Sequence, residues 1–259
     1  MTKKIFSYQD CCIATVMLDD PKKLNAIDLE MCTALGNTMA SLSKNTELRC
    51  VVLRGAGGKA FAAGADISRF AEERSTREQA LEYHSIIDIA MDAIYECLHP
   101  TVALIEGVCV GGGLEVAACC DMRICGKSSR FGIPIKNLGF TMDYGELGRV
   151  MQVIGPAATR ELLLEGQVFG AGRAKEIGFV NRVVDDLAVS AEAYEVARHV
   201  ADGAPIAKRF NKKFISRLCG PEPIQPAEHE ETYHTITTDD FREGIHAFLS
   251  KRHPVFKGR

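Results

Sequence analysis

The sequence predicts an α/β fold with a helical C-terminal region. Over roughly the first two thirds of the chain, short apolar stretches typical of strands alternate with small-residue loops and helical stripes, whereas the last third carries mainly helical patterns. The 259 residues are 46% hydrophobic and 25% charged, which is ordinary globular usage and enough for a substantial core.

The first elements follow from local pattern. Residues 11–18 (CCIATVML) predict a strand, and the loop PKKLNAID follows, with Asp28 as the expected N-cap of a helix. That helix is predicted because apolar residues recur at helical spacing, at Met31, Leu35, Met39 and Leu42. Residues 50–54 predict a short buried strand that leads into the glycine- and alanine-rich loop GAGGKAFAAGAD.

A long amphipathic helix is predicted over residues 76–98, ending before Pro100 because proline cannot continue a helix. Its expected apolar stripe consists of Leu81, His84, Ile87, Met91, Ile94 and Leu98. Residues 101–110 predict one strand, LEVAACC a buried helix after three glycines, and residues 122–125 another strand. Helices are predicted over 205–218 and 239–249, the first with one apolar face made of Ile206, Phe210, Phe214 and Leu218.

Composition argues against several function classes. The formal net charge is -3 without a dense basic tract, which disfavours nucleic-acid binding. No apolar run has the length of about 20 residues that a membrane helix needs. The N-terminus lacks the apolar segment of a signal peptide, so we expect a cytoplasmic protein whose ten cysteines are free thiols. No C-x-x-C spacing is present, and no metal site is expected.

Two segments share one design, in which a strand leads through a small-residue loop into a helix. They are residues 51–67, ending in FAAGADI, and residues 102–118, with GGGLE at their centre. Glycine lets a backbone approach a ligand closely, and a helix start presents free N–H groups. Two such loops side by side would form an oxyanion hole. Tight turns and phosphate binding are the alternatives, although neither the P-loop nor the G-x-G-x-x-G pattern is complete.

Several motifs along almost the whole chain resemble the crotonase superfamily, also called the enoyl-CoA hydratase/isomerase family. The motifs are LNAI at 24–27, FAAGADI at 61–67, GVCVGGGLEVAACCDMRIC at 107–125, FGIPIKNLGF at 131–140, GRAKEIGFVNRVV at 172–184 and FREGIHAFLSKRHPVFKGR at 241–259. The resemblance implies a spiral of ββα repeats that carries an acyl-CoA site, which we place in residues 1–200. Residues 201–259 would form a helical cap or oligomerisation region. The resemblance further implies homotrimers or dimers of trimers, and no metal or cofactor beyond the CoA of the substrate.

The resemblance also implies particular site residues. The backbone N–H groups of Ala65 and Gly112 would form the oxyanion hole. The residues expected to bind substrate and CoA are Lys23, Leu24, Ala26, Ala63, Asp66, Ile67, Ser68, Gly111 and Ile135. Phe256 and Lys257 are further candidates, for the nucleotide end of CoA in a neighbouring subunit. Asp66 also fits a simple helix cap.

Hydratases of this family use two glutamates, and here the match is incomplete. Glu115 occupies the first position, between GGGL and VAACC, whereas Ile135 stands at the second. Asp143, in FTMDYGELGR, is the candidate replacement, because some isomerases and a dehalogenase of the family carry a catalytic aspartate there. Among apolar neighbours its pKa would rise, as suits a base. The alternative is a turn aspartate beside Gly145.

His84 and Asp88, one helical turn apart, and Tyr144 are lesser candidates for the acyl pocket. The predicted activity is hydration or dehydration of an enoyl-CoA, with double-bond isomerisation through Asp143 as the alternative. Ile135 in place of a glutamate suggests a specialised acyl group, cyclic or branched. Three rivals stay open: an acyl-CoA- or RNA-binding protein without catalysis, an acyl-CoA hydrolase, and a serine peptidase on a related spiral, which the absence of G-x-S-x-G disfavours.

Overall fold

The computed structural model describes residues 4–259, which contain two β-sheets surrounded by helices. The strands are β1 (Ile5–Asp10), β2 (Ile13–Leu18), β3 (Cys50–Gly55), β4 (Ala60–Ala62), β5 (Thr101–Ile105), β6 (Val108–Val110), β7 (Met122–Gly126), β8 (Arg130–Gly132), β9 (Phe169–Gly170) and β10 (Arg182–Val184). The helices are α1 (Leu29–Ser43), α2 (Phe70–Glu73), α3 (Arg77–Tyr95), α4 (Gly112–Ala118), α5 (Tyr144–Glu165), α6 (Ala171–Glu176), α7 (Val189–Ala201), α8 (Pro205–Leu218), α9 (Pro226–Glu231) and α10 (Asp239–Leu249).

From β3 to β8, successive strands alternate between the two sheets. The larger sheet has the order β1-β2-β3-β5-β7-β10 and the smaller β4-β6-β8-β9, with antiparallel pairing only for β1 with β2 and β8 with β9 among the described strands. Each of β3, β5 and β7 is followed by a strand of the smaller sheet and then by a helix, namely α2, α4 and α5. This repetition confirms the predicted spiral of ββα units.

The core lies on both faces of the larger sheet, which is why its central strands are apolar on both sides. On β3, Val51 and Leu53 pack towards α1 and the interior of the spiral, while Val52 packs against the opposite cluster, which includes Val196 of α7. All four residues are at most 5% exposed. The larger sheet is therefore covered on both faces, by α1 and the interior of the spiral on one and by α7 on the other.

The starts of α1 and α3 agree with the prediction, because an N-cap depends only on residues that are close in the chain. Asp28 caps α1 by accepting a hydrogen bond from the N–H of Met31. Thr76 and Gln79 form a capping box on α3. The predicted stripe of α3 was wrong at Leu81, which is 62% exposed, and at Leu98, which is 39% exposed and lies beyond the end of the helix at Tyr95. Tyr83, 4% exposed, is buried instead of Leu81.

Two strand predictions need correction. Residues 5–10 form a strand, β1, which was not predicted and which pairs with β2 in a hairpin. The strand predicted over 101–110 is two strands in different sheets, β5 and β6. The break lies at Gly107, whose φ is +65° and where a Cβ would stand 1.9 Å from the carbonyl oxygen of Lys59. That close approach is a tertiary contact that local pattern does not reveal.

The C-terminal helices α8 and α10 have the predicted bounds, and α9 lies between them. The division of the chain at residue 200 stays a prediction. No helix within residues 4–259 is long and apolar enough to cross a membrane. All ten cysteines fall in this range, and all are free.

Candidate active site

An apolar cavity of about 120 Å³ lies where the loops after β4 and β6 meet α3 and the start of α5. Most of the residues in its wall are apolar or glycine, and the charged ones are Glu115, Glu146 and Arg74. The residues that line it are Ile27, Cys32, Leu35, Ala63, Gly64, Ala65, Ile67, Phe70, Arg74, Tyr83, Ile87, Ala90, Met91, Val110, Gly111, Gly112, Glu115, Val116, Pro134, Ile135, Leu138, Phe140, Met142 and Glu146.

The two glycine loops touch at the wall of this cavity. Gly64 has a φ of +96°, and a Cβ there would lie 3.2 Å from the carbonyl oxygen of Val110. A Cβ on Gly112 would lie 3.7 Å from the backbone N of Ala65 and 3.8 Å from Oε2 of Glu115. The space beside Gly112 is therefore bordered by the Ala65 N–H and by the Glu115 carboxyl group.

Two backbone donors at this contact are unused. Gly112 is the first residue of α4, so its N–H has no partner within the helix. Across residues 4–259, no hydrogen bond is donated by the N–H of Gly112 or of Ala65. Free N–H donors beside an apolar cavity favour an oxygen that develops negative charge.

Residues 23–27 hold the first glycine loop in place. Leu24 accepts a hydrogen bond from the N–H of Ala63, and Ile27 forms a parallel bridge with Ala65. Asn25 is fully buried, and its side-chain amide donates to the carbonyl oxygens of Ala56 and Ala60. These contacts explain how the LNAI motif contributes to the site: it supports the backbone on which the Ala65 N–H is presented.

Glu115 lies in the first turn of α4 and is only 7% exposed. Burial raises the pKa of its carboxyl group well above the ordinary range, and the nearby Glu146 raises it further, against the opposing charge of Arg74. No hydrogen bond of the described residues involves this carboxyl group. A buried acid that faces a cavity and lacks a fixed partner is suited to exchange a proton with a ligand.

Glu146 is the main cavity residue that was not predicted from the sequence. It lies in the first turn of α5, is 7% exposed and lines the same cavity as Glu115. Burial raises its pKa, although a hydrogen bond from the N–H of Asp143 acts in the opposite direction. The sequence offered one signal for it, the spacing Asp143-x-x-Glu146. This spacing is typical of a capping box at the start of a helix, and it places Glu146 in the first turn.

A second group that was not predicted surrounds the guanidinium of Arg74. It lies 4.8 Å from the ring centre of Phe70 and 4.6 Å from those of Tyr83 and Phe140. Its Nη2 lies 3.2 Å from Nε2 of His84. The cation is thus held at the cavity wall by aromatic faces and one histidine, without an ion pair to a carboxylate among residues 4–259.

Seven of the predicted site residues line the cavity: Ala63, Ala65, Ile67, Gly111, Gly112, Glu115 and Ile135. Lys23, Leu24, Ala26, Asp66 and Ser68 lie beside it instead. Lys23 forms an ion pair with Asp66, with 2.6 Å between Nζ and Oδ2, and the pKa of Asp66 is lowered by this hydrogen bond. Asp66 also caps a short turn by accepting from the N–H of Ser68, as the simpler alternative predicted.

Other predicted residues lie outside the cavity lining. Asp143 is the N-cap of α5 and accepts a hydrogen bond from the N–H of Gly145, 2.9 Å away. Tyr144 is 90% exposed. Asp88 forms no hydrogen bond or ion pair with His84 among the described residues, since His84 contacts Arg74 and Glu146 instead.

At the C-terminus, Phe256 contacts the position of Gly244, while the exposed Lys257 donates its backbone N–H to Asp240. Neither lines the cavity of this chain. Their predicted contact with the nucleotide end of CoA in a neighbouring subunit stays a prediction.

Comparison with known proteins agrees with this geometry. The sequence profile described as enoyl-CoA hydratase/isomerase matches residues 9–259. A short-chain-enoyl-CoA hydratase of Clostridium acetobutylicum is 31% identical over 93% of this chain and 92% of its own. A Δ(3,5)-Δ(2,4)-dienoyl-CoA isomerase of Dictyostelium discoideum is 28% identical over 95% of this chain and 87% of its own.

Solved structures give the same result. The crystal structure of an enoyl-CoA hydratase/carnithine racemase from Magnetospirillum magneticum is 43% identical, covers 100% of this chain and 97% of its own, and superposes with a TM-score of 0.97. The match extends over both sheets and the C-terminal helices, since it covers the whole chain. The chain therefore belongs to the enoyl-CoA hydratase/isomerase family of the crotonase superfamily, and it is an enzyme of the hydratase/isomerase type.

Proposed function

We propose that this enzyme adds water to, or removes it from, an acyl-CoA thioester bound in the cavity beside Glu115. The observation that carries the proposal is the pair of unused N–H groups on Ala65 and Gly112, which border one space together with the Glu115 carboxyl. The thioester oxygen would accept both hydrogen bonds. Each such donor typically contributes about 2.7–4 kcal/mol when negative charge develops on that oxygen.

The two donors make an enolate accessible. When water adds to C3 of an enoyl thioester, the electrons of the double bond move towards the carbonyl oxygen, and C2 then takes a proton. Residues 23–26 and 63–68 run along the same edge of the cavity, which supports the expectation that they carry the CoA chain. Lys23 and Arg69 are the cations of this edge. They pair with Asp66 and Glu73 in the structure, and their exposed charges suit anionic phosphates.

The cavity favours a compact, apolar acyl group. Its wall on the α1 and α3 side is formed by Cys32, Leu35, Ala90 and Met91, all at most 5% exposed. Ile135 adds a further apolar side chain where a second glutamate was expected. The short-chain hydratase from Clostridium acetobutylicum points in the same direction. A branched or cyclic acyl group remains the more specific form of this proposal.

Isomerisation is the second candidate, favoured by the dienoyl-CoA isomerase relative. The same oxyanion hole would stabilise the dienolate formed when a proton leaves one carbon and returns to another. The two reactions differ in one observable feature, because hydration transfers an oxygen atom from water to C3 and isomerisation transfers none.

Isotopes separate the two reactions. We expect incubation with a panel of short linear, branched and cyclic enoyl-CoAs in H₂¹⁸O to place ¹⁸O at C3 of the product, read by mass spectrometry. Deuterium uptake from D₂O without ¹⁸O would instead establish the isomerase. Release of free CoA would identify a hydrolase. If no thioester were bound or changed, the enzymatic proposal would fail, and salt-sensitive retention of RNA would then support the binding-protein rival.

We also retain a homotrimer, alone or paired, and a cytoplasmic location as proposals. Large apolar side chains are exposed on the C-terminal helices, with Leu218 at 70%, Phe248 at 83% and Leu249 at 75%, and an apolar surface of this kind supports self-association. We expect light scattering of the purified protein to give three or six times the 28.3 kDa chain mass. A monomer would contradict the trimer and leave the activity untouched.

A further inference from the structure

We propose that Glu146 is the second acid–base residue of the reaction, and that His84, oriented by Arg74, positions it. The proposal rests on the hydratase/isomerase function given above and replaces Asp143 as the partner of Glu115. It is carried by three features. Glu146 lines the cavity, one of its oxygens accepts a backbone N–H while the other faces a ring nitrogen of His84, and the missing glutamate at Ile135 leaves the cavity lining otherwise with a single carboxyl group.

The carboxyl group of Glu146 is held from two sides. Its Oε2 accepts a hydrogen bond of 3.1 Å from the backbone N–H of Asp143. Its Oε1 lies 3.9 Å from Nδ1 of His84 on α3. That separation is longer than a hydrogen bond, but contacts between catalytic groups often tighten only when the substrate is bound. Asp143, by contrast, directs its side chain to its own helix, where it accepts the N–H of Gly145.

The geometry assigns the tautomer of His84. Arginine has only donors, so the 3.2 Å contact between Arg74 Nη2 and His84 Nε2 requires Nε2 to accept. A neutral imidazole that accepts at Nε2 carries its proton on Nδ1. This Nδ1 is buried and has no hydrogen-bond partner among residues 4–259. Its N–H therefore faces Oε1 of Glu146, and Arg74 fixes that orientation from the other side of the ring.

Two carboxyl groups in one apolar cavity favour a state with one proton between them. Burial raises the pKa of each, and the charge of Glu146 raises that of Glu115 further. Glu146 holds the ionised state, because it accepts a hydrogen bond from Asp143 and faces His84 and Arg74. The charge of Arg74 acts on Glu115 as well, but the Glu115 carboxyl group accepts no hydrogen bond among the described residues and therefore holds the proton.

The proton balance then closes for hydration. Glu146 takes a proton from the water whose oxygen bonds to C3, the electron pair of the double bond moves into the enolate, and Glu115 gives its proton to C2. At the end Glu146 is protonated and Glu115 ionised, which is the state that starts the reverse reaction. Proton exchange between the carboxyl groups, or with solvent, restores the first state.

The substitution Glu146→Gln separates acid–base chemistry from helix capping. Glutamine at the third position of a helix maintains a capping box in this same chain, where the Gln79 side chain accepts the N–H of Thr76. We therefore expect Glu146→Gln to keep its melting temperature while kcat for the active enoyl-CoA falls by about 10²–10⁴-fold. The matched control is Glu228→Gln, at the equivalent capping position of α9, which removes a surface carboxylate and should keep kcat.

The positioning role of His84 needs a readout other than rate alone. Charged or titratable groups around Glu146 lie on several neighbouring elements. They are Cys32 on α1, Arg74 just before α3, Tyr83, His84 and Asp88 on α3, Glu115 on α4, and Asp143 at the start of its own helix. Loss of the His84 N–H removes a group that stabilises the ionised Glu146. We expect His84→Leu to shift the acidic limb of the pH–rate profile to higher pH, and His84→Asn, whose amide N–H replaces Nδ1–H, to restore it.

The outcomes distinguish this proposal from the proposed function. A wild-type enzyme that converts an enoyl-CoA, together with a Glu146→Gln variant of equal kcat, would overturn the role of Glu146 and leave the function standing. If Asp143→Asn, rather than Glu146→Gln, abolished turnover at an unchanged melting temperature, the assignment would return to Asp143. If the wild type converted no thioester, the proposed function itself would fail.

Discussion

Substitution of Glu115 by glutamine is expected to lower kcat by about 10²–10⁴-fold, because C2 of the enolate then has no acid beside it. The substitution retains the shape of a side chain that is 7% exposed, so binding of the acyl-CoA should change little. Steady-state kinetics with the active enoyl-CoA measures the loss. Titration with a saturated acyl-CoA measures the retained affinity.

The same substitution is expected to raise stability at neutral pH. Burial raises the pKa of Glu115 above its ordinary value of 4.5. In the pH range between the ordinary and the raised pKa, the folded state binds more protons than the unfolded state, so stability falls as pH rises. Glutamine has no such dependence. Chemical unfolding should therefore show Glu115→Gln at least as stable as the wild type at pH 8, with the advantage shrinking towards pH 4.

The control is Glu161→Gln, which makes the same chemical change at a carboxyl group that is about half exposed on α5. We expect wild-type kcat and a stability that follows the wild type across the pH range. Equal activity of Glu115→Gln and the wild type would remove Glu115 from the mechanism. Loss of stability at pH 8 would show that the carboxyl group is structural in the folded enzyme.

Features with a local physical cause were predictable from the sequence. The cap Asp28, the start of α3 and the bounds of α8 depend on neighbours in the chain, and the structure has them where the pattern indicates. Gly64 and Gly112 were recognisable because a backbone that presents N–H groups to a ligand leaves little room for side chains. The whole family resemblance rests on such short, chemically constrained segments.

Features set by packing were not predictable. Gly107 divides a continuous apolar run into two strands because its backbone meets Lys59, which is distant in sequence. Asp143 and Glu146 lie three residues apart at one helix start, and both patterns fit a cap or a catalytic acid. Only the packing of α5 against the cavity shows that Glu146 lines it, while Asp143 is directed to its own helix.

Alanine substitutions at the neighbouring glycines Gly112 and Gly113 are expected to have different effects. The first should lower activity and the second stability. A Cβ on Gly112 would meet Ala65 N at 3.7 Å and Glu115 Oε2 at 3.8 Å, which are ordinary contacts, so Gly112→Ala should fold normally. Its methyl group would nevertheless occupy the space between the oxyanion donors and the acid. We expect kcat/KM to fall by at least about 10²-fold, comparable to the removal of one oxyanion-hole donor.

Gly113→Ala is the matched variant, one residue further along α4. A Cβ there would lie 2.3 Å from the carbonyl oxygen of Ala62 and 2.8 Å from its Cβ, so β4 and α4 would have to separate. Overpacking of this kind costs about 1–3 kcal/mol of the free energy of unfolding. Thermal unfolding should therefore show a clear loss for Gly113→Ala and almost none for Gly112→Ala.

The comparison of the two variants tests the oxyanion hole without removing any donor. Substitution by proline would delete a backbone N–H but would also constrain the backbone, whereas Gly112→Ala keeps both N–H groups and blocks the approach of the thioester oxygen. Full activity in this variant would mean that the substrate oxygen binds elsewhere in the cavity. Inactivity at an unchanged melting temperature, beside an unstable Gly113→Ala, would place the developing charge in the space between Ala65 and Gly112.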